Sequence, residues 1–161
     1  MSARSSLFAA GMVCGFLIGT GAISAFAEQE RVLSVGDGDT LSVREGGSRR
    51  TIRLACIDAP EMPQSPYGAQ ARAALQAMAP VGSSVTVEGG KRDRHGRIVA
   101  EIWRANTNVN QELVLQGDVF VYRQYLSGWD RTAYLSAEKH AESAMLGVWA
   151  VPGGITRPWD W

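Results

Sequence analysis

The sequence predicts an α+β fold that is mainly β: a five-stranded barrel of the OB type carrying three α-helices. Three observations predict it. Five short runs of β-branched and apolar residues are separated by turn residues, one helical run is inserted after the third, and two further helical runs follow the fifth. Short strands in a meander with an inserted helix suit a small closed barrel. At 161 residues and 45% hydrophobic content, the chain can bury one real core.

The first three strands fall at Val32 to Val35, Thr40 to Arg44, and Arg50 to Ile57, with Gly46-Gly47-Ser48 turning the second into the third. Ser65-Pro66 opens a helix, with Pro at its first position. Ala71, Ala74, Leu75 and Met78 share one face of it, and Pro80 ends it. Ser84 to Glu88 and Ile98 to Trp103 are the last two strands, joined by a polar segment from Gly89 to Arg97. A short helix from Asn108 to Gln116 stops at Gly117. Val119 to Tyr122 reads as a buried extended connection. Asp130 caps the last helix, in which Tyr134, Ala137, Ala141, Ala144 and Val148 recur at helical spacing, with Gly147 near the end. The aperiodic tail Arg157 to Trp161 is expected to pack its tryptophans onto the body.

Residues 1–27 are set apart by composition. Arg4 precedes a run from Leu7 to Ile23 that is apolar but for small residues and Thr20, and Ala25-Phe26-Ala27 offers a cleavage site before Glu28. A cleaved export signal is the first reading; the alternative is an uncleaved anchor, since a helix over residues 7–27 would nearly span a bilayer. Both place residues 28–161 in an export compartment, secreted or periplasmic. That part keeps Cys56 as its one thiol, without a disulfide, and Cys56 lies in an apolar run where a small core residue fits better than a nucleophile. The formal net charge is zero, and removing Arg4 leaves 15 basic residues against 16 acidic. A broad basic surface for long polyanions is therefore excluded, and any anion site must be local.

Three polar clusters remain: Asp37-Gly38-Asp39-Thr40, Arg53 with Asp58-Ala59-Pro60-Glu61, and Asp93-Arg94-His95-Gly96-Arg97. A hairpin returns its far end toward its start, so Asp39 and Asp58 can meet across the second and third strands. Two carboxylates completed by water and a backbone carbonyl suit Ca²⁺ better than Zn²⁺, which favours His or Cys. Asp-Gly is also an ordinary turn signal, so the first cluster alone is weak. Arg53 lies in an apolar strand, where a guanidinium needs an anion or water, and Arg97 stands in a basic loop. A planar fork that donates two hydrogen bonds to phosphate oxygens favours Arg over Lys. Arg53 and Asp58 are five residues apart, so strict alternation would put them on opposite faces unless a bulge or strand end re-aims one.

These residues resemble the staphylococcal nuclease (thermonuclease) family. The resemblance runs through Val35 to Thr40, Ile52 to Glu61, Asp93 to Arg97, Val109-Asn110 with Leu113-Val114 and Gln116-Gly117, and Gly147-Val148-Trp149, roughly residues 30 to 150. It implies an OB-type barrel with three helices over residues 28–161. It implies Ca²⁺ as cofactor, held by the Asp39 and Asp58 carboxylates and the Ala59 main-chain carbonyl. Arg53 and Arg97 would bind the scissile phosphate, and Glu61 would activate or position the attacking water. The activity implied is a Ca²⁺-dependent endonuclease that hydrolyses DNA and RNA with little base preference and leaves 3′-phosphates; nothing in the sequence demands more than a monomer.

This chain departs from the family in placing His95 where a tyrosine is common, and Arg123 near another such position, with Tyr122 and Tyr125 close by. His95 and Tyr125 are the candidate contacts to substrate. Two other classes compete: an OB-type module that binds nucleic acid without cutting it, and an envelope-anchored protein with a relic site. Intact Arg53, Glu61 and Arg97 argue against the first, since a pure binder has no need for that set.

Overall fold

The computed structural model describes residues 29–161; the expected signal or anchor at residues 1–27 lies outside them. No helix among the described residues is long and apolar enough to cross a membrane. The elements in order are β1 (Gln29–Val35), β2 (Thr40–Glu45), β3 (Ser48–Leu54), β4 (Ile57–Asp58), α1 (Tyr67–Met78), β5 (Ser84–Arg92), β6 (Ile98–Arg104), β7 (Thr107–Asn108), α2 (Val109–Leu115), β8 (Phe120–Val121) and α3 (Arg131–Ser143). Antiparallel neighbours run β3-β2-β1-β5-β6, and a parallel pairing of β3 with β6 closes the ring. The five expected strands therefore make the expected barrel, with three helices outside it.

Closure is set by hydrophobic register. Ile52 pairs with Ile98, and Leu54 with Ala100, while Leu41 and Val43 of β2 and Val85 of β5 also point inward and are fully buried. Helix α1 covers this core with Ala71 and Leu75, α2 with Leu113 and Val114, and α3 with Tyr134. A smaller cluster joins Phe120, Ala141, Val148 and Trp149 under the C-terminal tail.

The third strand is shorter than its apolar run implies. It stops at Leu54, Cys56 adopts φ +68°, and the chain resumes as β4, paired with β8 through Ile57↔Val121 and Asp58↔Phe120. A left-handed non-glycine residue is costly, and here Ala55 N–H donates to Ala100 O (2.8 Å) and Tyr122 N–H to Cys56 O (2.7 Å), which hold the turn. Cys56 is 3% exposed and burial pushes its thiol up to about 12, so it is a core residue as expected.

Two helix ends differ from expectation. Pro66 is the N-cap of α1 rather than its first helical residue. Helix α3 starts as read, with the Asp130 carboxylate accepting from Ala133 N–H, but it ends at Ser143. Met145 (φ +54°) and Gly147 (φ +49°) turn the chain, and Val148 is buried in a separate one-turn 3₁₀ helix. The reason is a close backbone crossing: a Cβ on Gly147 would lie 2.2 Å from Gly117 O, which accepts from Val148 N–H at 2.8 Å.

Asp118, just past that crossing, has its carboxyl pushed up to about 6 by burial, from 3.8. The folded chain then binds a proton more tightly than the unfolded chain, so this group's stabilisation is present below about pH 4 and is lost as pH rises through about 6. Asp118→Asn is expected to raise the urea midpoint at about pH 7.5 and to change it little at about pH 4. An unchanged midpoint at the higher pH would contradict the assignment.

Candidate active site

Strand register brings the three polar clusters together. Thr40 pairs with Arg53, and Arg53 pairs on its other side with Val99. Asp39, one residue before β2, therefore lies beside Arg53, and Leu54 N–H donates to Asp39 O at 2.8 Å. The Cys56 turn re-aims the chain so that Asp58 meets Arg53 on the same side. One guanidinium nitrogen, Nη2, lies 3.2 Å from Asp39 Oδ2 and 2.5 Å from Asp58 Oδ1. The opposite-face difficulty is resolved by that turn. The other nitrogen, Nη1, donates to Leu54 O (2.8 Å) and Ile57 O (2.9 Å), which fixes the plane of the fork.

Asp37, Asp39, Asp58, Ala59, Glu61, Arg53 and Arg97 line one open hollow of about 290 Å³. Asp39 is buried, and Oδ2 accepts from Ala59 N–H at 2.8 Å while Oδ1 accepts from the Thr40 hydroxyl at 3.1 Å. Burial pushes the Asp39 carboxyl up to about 7, against the pull of Arg53 and with Asp37 adding to the rise. Burial likewise pushes Asp58 up to about 6, again opposed by Arg53 and aided by Glu61 and Asp37. Four carboxyl groups line the hollow against two guanidinium groups. Gly38 lets the Asp39 turn settle against the body: a Cβ there would fall 2.6 Å from both Ala59 Cβ and Ala71 Cβ.

The donor set fits Ca²⁺. Every candidate donor in the hollow is oxygen, no His or Cys lines it, and it is short of positive charge. Among the described residues no three His, Cys, Asp or Glu side chains form a metal-holding group by themselves. Two carboxylates would therefore need main-chain and water oxygens to complete the shell, as a weak calcium site has.

Glu61 is exposed at the mouth. Its backbone is held by Gln64, whose Oε1 accepts from Glu61 N–H (2.7 Å) and whose own N–H donates to Glu61 O (2.8 Å). Gly68 of α1 packs directly beneath, where a Cβ would meet Glu61 O at 2.2 Å. Arg97 is positioned by Asp93: Oδ2 accepts from Arg97 Nε at 2.7 Å, and Oδ1 accepts from the backbone N–H of His95 and of Arg97, both at 2.9 Å. Burial works against ionisation of Asp93, but those hydrogen bonds hold its carboxyl below the usual range.

Arg53 and Arg97 also line a second, adjoining cleft of about 420 Å³, whose lining includes His95, Tyr122 and Tyr125. Both residues expected to contact substrate thus lie next to the arginines. His95 is exposed, and its Nε2 accepts from Arg94 Nε at 3.1 Å. Arg123 instead turns outward to the buried Glu138 carboxylate at 2.6 Å.

Asp37, Gln64 and Asp93 are site residues that sequence reasoning did not single out. Asp37 stood in the Asp-Gly-Asp motif and Asp93 opened the Arg-His-Gly-Arg loop, so adjacency alone pointed to them. Nothing in the sequence distinguishes Gln64.

A closed five-stranded barrel with three helices, bearing an acidic pair bridged by one arginine beside a second, defines a nuclease-type OB barrel. Residues 51–151 match the family described as staphylococcal nuclease homologue. Similar proteins include an uncharacterized endonuclease of Haemophilus influenzae, 34% identical over 121 residues, which are 74% of this chain and 65% of that protein. An uncharacterized endonuclease of Escherichia coli is 34% identical over 132 residues, 81% of this chain and 82% of its own length. A micrococcal nuclease of Shigella flexneri is 30% identical over 168 residues, 98% of this chain and 94% of its own. The chain belongs to the staphylococcal nuclease family.

Proposed function

We propose that this chain is a Ca²⁺-dependent phosphodiesterase that cuts DNA and RNA internally with little base preference, working as an exported monomer. The observation that carries this reading is Arg53 bridging Asp39 and Asp58 in a hollow that Glu61 and Arg97 also line. Asp39, Asp58 and the Ala59 carbonyl would hold the cation, which when bound supplies positive charge to the phosphoryl oxygens. Arg53 and Arg97 donate hydrogen bonds to those oxygens and stabilise the charge that grows as phosphorus becomes five-coordinate. Glu61 activates or positions the attacking water, accepting a hydrogen bond from it. The water oxygen bonds to phosphorus as the water gives up a proton to Glu61 or to solvent, the bond from phosphorus to O5′ breaks, and the departing O5′ takes a proton from solvent, so the products are a 3′-phosphate and a 5′-hydroxyl.

Release of acid-soluble nucleotides from DNA and from RNA is expected in Ca²⁺ at about 10⁻³ M and to cease with a chelator. Glu61→Gln is expected to lose about 10²-fold or more of turnover with a small change in substrate affinity. Wild-type turnover in that variant would remove Glu61 from the mechanism, and absence of cleavage in Ca²⁺ would remove the enzymatic reading.

A further inference from the structure

Strand parity sorts charge in the first three strands. Val32, Val43 and Ile52 point into the barrel, and Glu30, Glu45 and Arg50, two residues from each, share that side. There Arg50 takes both carboxylates. On the outer side, charge is carried by arginine alone. Arg31 pairs with Arg44 and Arg44 with Arg49, so three exposed arginines lie side by side across β1, β2 and β3. None of the three has an ion-pair partner among the described residues. Like charges directly opposite in a sheet destabilise it. In a chain of zero formal net charge, an excess of base does not account for such a row.

The row leads to the site. Arg49, Thr51 and Arg53 alternate on the outer face of β3 while Ile52 and Leu54 are buried, so Arg49 stands about 13 Å along the strand from Arg53. The ground between them is polar and uncharged. Ser42 pairs with Thr51, and Arg49 Nη2 donates to Ser42 Oγ at 3.1 Å and to Ser34 Oγ at 3.2 Å. Those two hydroxyls fix the fork without neutralising it. Arg31 is likewise held by a neutral acceptor, donating from Nη1 to Gly82 O at 3.0 Å. Arginines fixed by hydroxyls and carbonyls keep their charge for an anion from outside.

We infer that Arg31, Arg44 and Arg49 form a phosphate track on the outer face of β1, β2 and β3, which holds the backbone of a nucleic-acid strand beyond the phosphate bound at Arg53. The inference rests on the phosphodiesterase reading and adds a contact that a long substrate makes and a short one does not. Two observations select a strand as the occupant. Row and site share one strand of the sheet and one face of it, with only Ser42 and Thr51 between, so a chain of phosphates that reaches Arg53 is carried on to Arg49. The span also fits. It is about 13 Å along β3 and roughly 10 Å more across the three strands, the length of several phosphates at about 3.4 Å each along one strand. Contacts to phosphate read no base, which suits cleavage with little base preference.

The test uses the full chain in chelator. Affinity for a labelled single strand of about 12 nucleotides is followed by anisotropy over a range of salt, beside a labelled dinucleotide too short to pass from Arg53 to Arg49. Arg44→Gln and Arg49→Gln are each expected to weaken binding of the long strand by about two- to fivefold, the worth of one exposed ion pair. Each should also make the slope of log affinity against log salt shallower by about 0.7. Dinucleotide binding should change little. Arg44→Lys should keep the slope, because either charge releases a counterion. Lys139→Gln, which removes an exposed charge on α3 away from the row, should keep it too. Unchanged slopes in both arginine-to-glutamine variants, equal losses on the long and short ligands, or an equal loss in Lys139→Gln overturns the inference. So does lost binding to vesicles of anionic phospholipid while the strand binds normally, which would assign the row to a membrane surface. Cleavage in Ca²⁺ is scored separately. A chain that cuts while its variants keep the wild-type slope sinks the track and leaves the hydrolase; a shallower slope in a chain that never cuts does the reverse.

Discussion

Replacing Arg53 with Gln is expected to lower turnover by about 10²–10³-fold, the usual loss when one preorganised donor to a developing charge is removed. The magnitude follows from how fixed the guanidinium is. It is tied to two carbonyls, Leu54 O and Ile57 O, and to two carboxylates, Asp39 and Asp58, so it is fixed beside the hollow, and its Nη2 is released to a phosphate when a cation takes up the carboxylates. Arg53→Lys is not expected to rescue, because an ammonium cannot satisfy four acceptors in one plane. Stability should fall too. Its side chain is 14% exposed, and removing it leaves two partly buried carboxyls facing each other. Orphaning a buried charge costs about 3–5 kcal/mol, and uptake of protons by Asp39 and Asp58 should bring the loss to roughly 2 kcal/mol. Initial rates on DNA and urea melts in chelator check both effects. A variant with wild-type turnover would show that Arg53 serves only to neutralise the aspartates.

The second large effect is structural. Asn110→Ala is expected to destabilise the chain by about 3–5 kcal/mol, a large share of the roughly 5–15 kcal/mol that a domain of this size has. Asn110 is fully buried; its Oδ1 accepts from Ile102 N–H, and its Nδ2 donates to Ala55 O and Ala100 O, all at 3.1 Å. It thereby joins α2, β6 and the turn that ends β3. Without it Ile102 N–H and Ala55 O lose partners in a dry core. Because Ala55 precedes the Cys56 turn that aims Asp58, activity should fall beyond what the unfolded fraction explains. Urea unfolding with rates measured well below the midpoint separates the two losses, and a melt shifted by less than about 1 kcal/mol would refute the role.

Much of this arrangement was legible in the sequence. Turn glycines and β-branched runs marked the barrel strands, and Asp130 marked the start of α3, because those signals are local. The acidic and basic residues that line the hollow were legible for the same reason: Asp-Gly-Asp, Asp-Ala-Pro-Glu and Gly-Arg are short motifs placed by short elements. What escaped depends on contacts between distant segments. Ile52 to Ile57 looked like one continuous strand because Cys56 carries no turn signal, and its left-handed turn is held by Tyr122 and Ala100. The end of α3 at Ser143 was hidden because Val148 continues the helical period, while the true constraint is the crossing of Gly147 over Gly117. Gln64 was invisible, since a glutamine that binds Thr156 across 92 residues looks like any surface glutamine.

The parallel seam that closes the barrel has a consequence for when the chain can act. Arg53 sits on one strand of that seam, and Arg97 stands one residue before the other. The two segments are far apart in sequence, and contacts that close long loops form late in folding. A chain whose ring has not yet closed therefore carries both guanidinium groups without their alignment. Its latency needs no inhibitor, only an unclosed ring.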